Sequence, residues 1–195
     1  MNRTRLYALL APILLLVAAC GINSVPAAEE EAKARWADVQ NDYQRRADLI
    51  PNLVATVRAA AAQERNVLRE VTEARASASR ITVTGEQLTD PAAMARFAEA
   101  QGRLTISLQR LQEAYPELRT NENFLTLQSQ IEGTENRVSR SRERYNQAVQ
   151  NYNTTIRTFP SVIGARVVHG AQPMVPFQAE PQSQPAPRVD FGNSG

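Results

Sequence analysis

The sequence predicts an all-α protein made of long helices packed side by side. Phe124, Ile131, Val138, Tyr145, Tyr152 and Phe159 recur every seven residues. Leu127, Ala148, Val149 and Ile156 widen that stripe at the intervening threes and fours, the spacing of one face of a bundle helix. Leucine, alanine, glutamate, glutamine and arginine dominate the middle of the chain, with only eight glycines and 6% aromatic residues, a composition that favours helix over strand. Start and stop residues also stand where apolar stripes begin and end, as at Asp90-Pro91 and at Pro116.

The amino terminus, "MNRTRLYALLAPILLLVAACG", has a basic start at Arg3 and Arg5, an apolar run from Leu6 to Ala19, then Cys20. A membrane span needs about 20 apolar residues, so this shorter run has the layout of a secretory signal over residues 1–19. The stretch "LVAAC" is similar to a bacterial lipobox, with Cys20, the chain's one cysteine, at the acceptor position. Cleavage there leaves a thiol and a new amine to be acylated. One fatty chain binds a membrane marginally, at about 0.8 kcal/mol per buried methylene, whereas two or three chains hold stably. The expectation is a domain tethered through residues 20–29, outside the cytoplasm. Gly21 permits sorting to an outer membrane if the host has one, and anchoring in the plasma membrane by an uncleaved N-terminal helix is the alternative.

Losing the signal also removes two arginines, which leaves 20 basic against 20 acidic side chains. A neutral chain with mixed charges lacks the basic footprint of a nucleic-acid binder. With Cys20 acylated there is no disulfide framework.

Trp36, Val39, Tyr43, Ile50, Val54, Val57, Leu68 and Val71 keep a three-four rhythm on both sides of Pro51. Either the helix continues through a proline kink, or it ends near Arg46 and Asp48 caps a new helix with Pro51 in its first turn, where a missing donor costs little. The Asp-x-x-Pro arrangement tips the reading to a new start. Between Ser77 and Thr89, "SASRITVTGEQLT" is rich in β-branched residues and reads as a loop with a short extended piece. Asp90 is a good N-cap, and Pro91 suits the first helical position. Met94, Phe97, Leu104, Leu108, Leu111 and Tyr115 then form a stripe, with Gly102 inside it at a cost of about 1 kcal/mol relative to alanine. Pro116 stops this helix, and Thr120 or Asn121 can cap the next. That last helix runs roughly 55 Å at 1.5 Å per residue and ends at Pro160. Residues 161–195, with prolines at 173, 176, 181, 185 and 187, read as an extended or disordered tail.

Beyond these patterns, "WADVQNDYQRRADLIPNLVATVR", "VTEARA", "EGTENR" and "YNQAVQNYNTTIRTFP" resemble, in order, the LemA family of bacterial membrane-associated proteins. The resemblance covers nearly all of residues 30–160. It implies an antiparallel up-and-down four-helix bundle facing outward from a bacterial membrane, in a family whose biochemical role is not established. Many members have a transmembrane helix where this chain has the lipobox.

Chemistry is sparse. The one histidine, His169, falls in the proline-rich tail, which offers no scaffold for a metal site or a triad. Paired-metal bundles use a Glu-x-x-His motif on two helices, and the chain has none. No glycine-rich phosphate loop or CxxC pair occurs. A charge partly buried in a bundle needs an opposite partner, so Glu132 or Glu135 is expected to pair with Arg45 or Arg46 and fix the register of the first and last helices. Asp48, Pro51 and Arg137 complete the structural or docking candidates. Around Asn146, Asn151, Asn153 and Thr154 the last helix is uncharged, and a partner helix could lie there. The sequence therefore points to a non-enzymatic envelope scaffold or adaptor, attached at Cys20, binding envelope proteins and needing no cofactor or metal. The alternative is a lipid- or peptide-binding module with a groove between helices. Oligomeric state stays open.

Overall fold

The computed structural model describes residues 3–60 and 65–178, with side chains from Asn23 onward apart from Ala60, Arg65 and Arg119. Five helices follow one another: α1 (Arg3–Ala60), α2 (Arg65–Arg80), α3 (Pro91–Ala114), α4 (Glu122–Thr155) and α5 (Ser161–Val167). Short 3-10 turns, Gly85–Thr89 and Pro116–Thr120, precede α3 and α4. The described residues are all-α, with no strand among them.

α1 passes through Pro51 without a break, which corrects the expected new start. Proline has no N–H for the carbonyl four residues back, that of Ala47. Arg75 of α2 supplies the missing donor: its Nε lies 2.7 Å from the Ala47 oxygen. Asp48 therefore caps nothing and instead accepts a bond from the Gln44 amide at 2.7 Å.

α1 and α4 run antiparallel. Trp36 meets Tyr145 at a ring separation of 5.1 Å, and one helical stretch further along α1, Arg46 meets Glu135 at 2.7 Å. α2 folds back beside α1, and α3 lies against α2, where Arg110 Nη1 bonds Glu70 at 2.6 Å. The expected α2–α3 loop is present but shorter, residues 81–84, with Thr84 extended. Helix persists to Arg80, no strand forms, and Trp36 and Gln40 both donate to the Val83 carbonyl, at 2.8 and 3.0 Å. The expected caps are in place, Asp90 bonding the Ala92 amide and Asn121 that of Phe124.

The core has two apolar compartments. One gathers Trp36, Tyr43, Phe97, Val138, Tyr145 and Phe177. The other gathers Ile50, Val57, Leu104, Leu111, Phe124 and Ile131. The predicted stripes are buried, except that Leu127 is only half-buried and Phe159 is 74% exposed. α4 stops at Thr155, so Phe159 has left the helical register, and Ile156 becomes the stripe's last buried residue. A residue before proline is biased away from the helical region, which places the stop ahead of Pro160 rather than at it.

The tail also departs from expectation. Ser161–Val167 is helical. Residues 171–178 carry neither helix nor strand, and they are strapped onto α4, with Met174 and Phe177 buried. Residues 179–195 lie outside the described residues.

Candidate functional site

Between the two compartments each of three helices contributes polar groups to one level. On α1 it is Arg46, between Tyr43 and Ile50. On α3 it is Gln101 and Thr105, and on α4 Thr134 and Glu135. Arg46 is 1% exposed. Its Nη1 donates to Glu135 Oε2 at 2.7 Å and to Thr105 Oγ1 at 2.9 Å. Its Nη2 donates to Gln101 Oε1 at 3.0 Å and to the Gln101 carbonyl at 3.3 Å. The guanidinium carbon sits 5.0 Å from the centre of the Tyr43 ring, a cation–π distance. Only Nε lacks a partner. A guanidinium is more weakly hydrated than an ammonium, which suits it to this depth.

The partners are held by their own helices. Thr105 donates to the Gln101 carbonyl one turn back, and Thr134 does the same to Ile131. Glu135 keeps 47% of its side chain exposed, so the pair joins a buried cation to a carboxylate that still sees water. Burial pushes the Tyr43 hydroxyl above its ordinary range, with the Arg142 and Arg46 charges opposing.

Of the residues singled out in the sequence, Arg46 and Glu135 are brought together. Arg45 and Arg137 are exposed on their helices. Glu132 accepts from Gln128 on α4's outer face at 3.0 Å. Pro51 and Asp48 are exposed on α1. His169 is exposed beyond α5. The Cys20 side chain lies outside the described residues. Among those described, no three His, Cys, Asp or Glu side chains are grouped to hold a metal ion.

Beside the arginine a cleft of about 400 Å³ opens between α1 and residues 78–84, lined by Gln40, Asn41, Gln44, Thr82, Tyr43 and Phe97 among others. It carries no charged side chain.

The strap contains the residues that sequence reasoning placed incompletely. Asn153 grips Met174 by both backbone groups, accepting from its N–H at 2.9 Å and donating to its carbonyl at 2.8 Å. Asn146 grips Phe177 in the same way, at 2.7 and 3.0 Å. Between them Val175 donates to the Leu88 carbonyl at 2.8 Å, and its own carbonyl accepts from Tyr145 Oη at 2.8 Å. Pro173 and Pro176 have no N–H to satisfy. Seven residues of helix cover about 10.5 Å and three extended residues about 10 Å, so the two asparagines match the strap's spacing. The apolar residues interleaved with prolines in "QPMVPFQ" were the available signal.

The family model for LemA matches residues 35–191, and the chain belongs to the LemA family. That range runs past α4 and takes in the strap. A search of the curated proteins finds no match.

Proposed function

We propose that this LemA-family chain is a membrane-anchored scaffold or adaptor of the bacterial envelope, without enzymatic activity, that works through protein–protein contacts. The observation that carries this reading is the employment of Arg46. Four of its hydrogen bonds go to groups of α3 and α4, which makes the most deeply buried charge a brace between helices. Every bond it makes is to the protein's own side chains or backbone, so the group is employed in holding the helices together.

In this reading α1 to α4 form an antiparallel up-and-down four-helix bundle, supported by the antiparallel α1–α4 contact and the folding back of α2 and α3. The anchor is acylated Cys20, with the domain outside the cytoplasm. Its support is the lipobox-like "LVAAC" after a basic start. Among the described residues no helix is long and apolar enough to cross a membrane.

In-cell crosslinking followed by pull-down, comparing the native protein with Cys20→Ser, tests the reading. It expects a discrete protein partner that is lost with the anchor. A co-purifying lipid or small molecule with no protein partner overturns it.

One observation favours a second reading, a peptide-binding module. Asn146 and Asn153 hold an extended segment by its backbone alone, a grip indifferent to most side chains. A fluorescent peptide of residues 172–178, titrated onto the full chain, distinguishes the two. Saturable binding supports exchange of the strap for a peptide in trans, and none confines the grip to the chain's own strap.

A further inference from the structure

Beside the part of α1 that follows Cys20 lies an exposed apolar group, formed by α5 and the turn before it. Phe159, Ile163, Val167 and Val168 are 74%, 56%, 79% and 60% exposed. Ile163 and Val167 stand four apart on one face of α5, while Phe159 lies in the turn before it and Val168 directly after it. The opposite face is spent, since Gly164 and Ala165 are buried and Ala165 joins Val25 and Ala28 in the core. Single exposed apolar side chains need no explanation, but a contiguous group marks an interaction site.

Two features specify what covers it. The first is position. Ser161 Oγ and Ser24 Oγ are 3.0 Å apart, which seats α5 beside the residues immediately after Cys20 and the apolar run 6–19. The second is charge. From Arg144 to Ala179 the sequence has no acidic residue, while Arg157 and Arg166 are exposed beside the apolar group. The acids on the neighbouring part of α1 are already engaged, Glu29 and Glu30 with Lys33 and Glu31 with Arg35. Apolar side chains flanked by arginines are the composition that settles into the interface of an anionic bilayer.

We propose that the face formed by Phe159, Ile163, Val167 and Val168 rests in the lipid surface, with Arg157 and Arg166 on anionic headgroups, so that the bundle stands on the membrane at α5. This rests on the anchored reading above. The anchor alone is a single point of attachment at the start of the packed part of α1, and the α5 contact adds a second that fixes the domain's orientation toward envelope partners. A seven-residue helix is too short to hold a membrane by itself, so this contact orients what the acyl chains retain.

The test uses full-length protein, purified from membranes and reconstituted in vesicles of phosphatidylcholine and phosphatidylglycerol with brominated acyl chains. Phe159→Trp adds an exposed reporter, while native Trp36, 2% exposed in the core, supplies the background. Emission of the added tryptophan should fall severalfold relative to unbrominated vesicles while Trp36 is unchanged, and Ile163→Glu with Val167→Glu should restore it. Protein that floats with the vesicles but shows no quenching beyond the Trp36 background overturns the α5 contact and leaves the anchor standing. Protein that does not float overturns the anchored reading, and this inference with it.

Discussion

Arg46 Nη1 and Glu135 Oε2 meet at 2.7 Å across 89 residues of sequence, and this contact ties α1 to α4 at the level where the core divides. The same guanidinium reaches α3 through Gln101 and Thr105. One side chain thus sets the relative heights of three helices. The apolar residues above and below it do not, since a helix slid by a turn still buries apolar surface.

Arg46→Ala removes the cation, its contacts with Tyr43 and the donors for Gln101 and Thr105. Breaking a buried pair costs about 3–5 kcal/mol, and the low end applies because Glu135 stays half-solvated and partly screened. Arg46→Met keeps the stem's volume and should lose about 1 kcal/mol less, as volume-conserving changes are better tolerated. Urea denaturation of the two variants checks both the loss and its order.

Arg75 and Pro51 should be coupled although their side chains share no bond. Arg75→Met leaves the Ala47 carbonyl without a donor, at about 1–3 kcal/mol for an unsatisfied buried group. In a Pro51→Ala background the new N–H at position 51 takes that carbonyl, so the same Arg75→Met change should cost clearly less. Equal losses in both backgrounds would contradict the surrogate-donor account of the unbroken helix.

Asn153→Ala and Asn146→Ala each delete two bonds to the strap, worth about 1–2 kcal/mol per variant. The effect should be local. Limited proteolysis should cut residues 171–178 sooner, while the helical signal of α1 to α4 is retained.

Alkali should weaken the fold. Burial raises the hydroxyl pKa of Tyr145 and of Tyr43, so above about pH 10, the ordinary tyrosine value, the unfolded chain releases protons that the folded chain keeps. Stability falls wherever the unfolded state binds fewer protons. It is therefore constant with respect to these groups below that pH and declines as pH rises through the window up to the folded values. Tyr145→Phe should be less stable at neutral pH, having lost the bond to Val175, and should show a shallower alkaline decline. Denaturation midpoints measured across that range test both.

What was legible in the sequence was local. The seven-residue recurrence from Phe124 to Tyr152 placed α4's buried face, and Asp90-Pro91 and Asn121 marked helix starts, because caps and stripes are written in neighbouring residues. Pro51 reads locally as a new start because the donor that lets α1 continue is on α2, and no local signal announces Arg75. Phe159 fits the seven-residue spacing although α4 ends at Thr155, because periodicity does not register where a helix stops. The ordering of the strap depends on Asn146 and Asn153 facing it from another element, whereas its own prolines read as an extended or disordered tail. Among the arginines of the "QRRAD" stretch, Arg46 could have been preferred to Arg45, since it stands three residues after Tyr43 and four before Ile50, on the apolar face.

The most direct test of the central claim, that this charge braces the helices, is a double-mutant cycle of Arg46→Met and Glu135→Gln, with unfolding free energies for all four proteins. The account predicts a favourable coupling of about 1 kcal/mol, within the range for residues in one hydrogen-bonded network. Additive losses, with no coupling between the two positions, would contradict the α1–α4 brace and leave Arg46 tied to α3 alone, through Gln101 and Thr105.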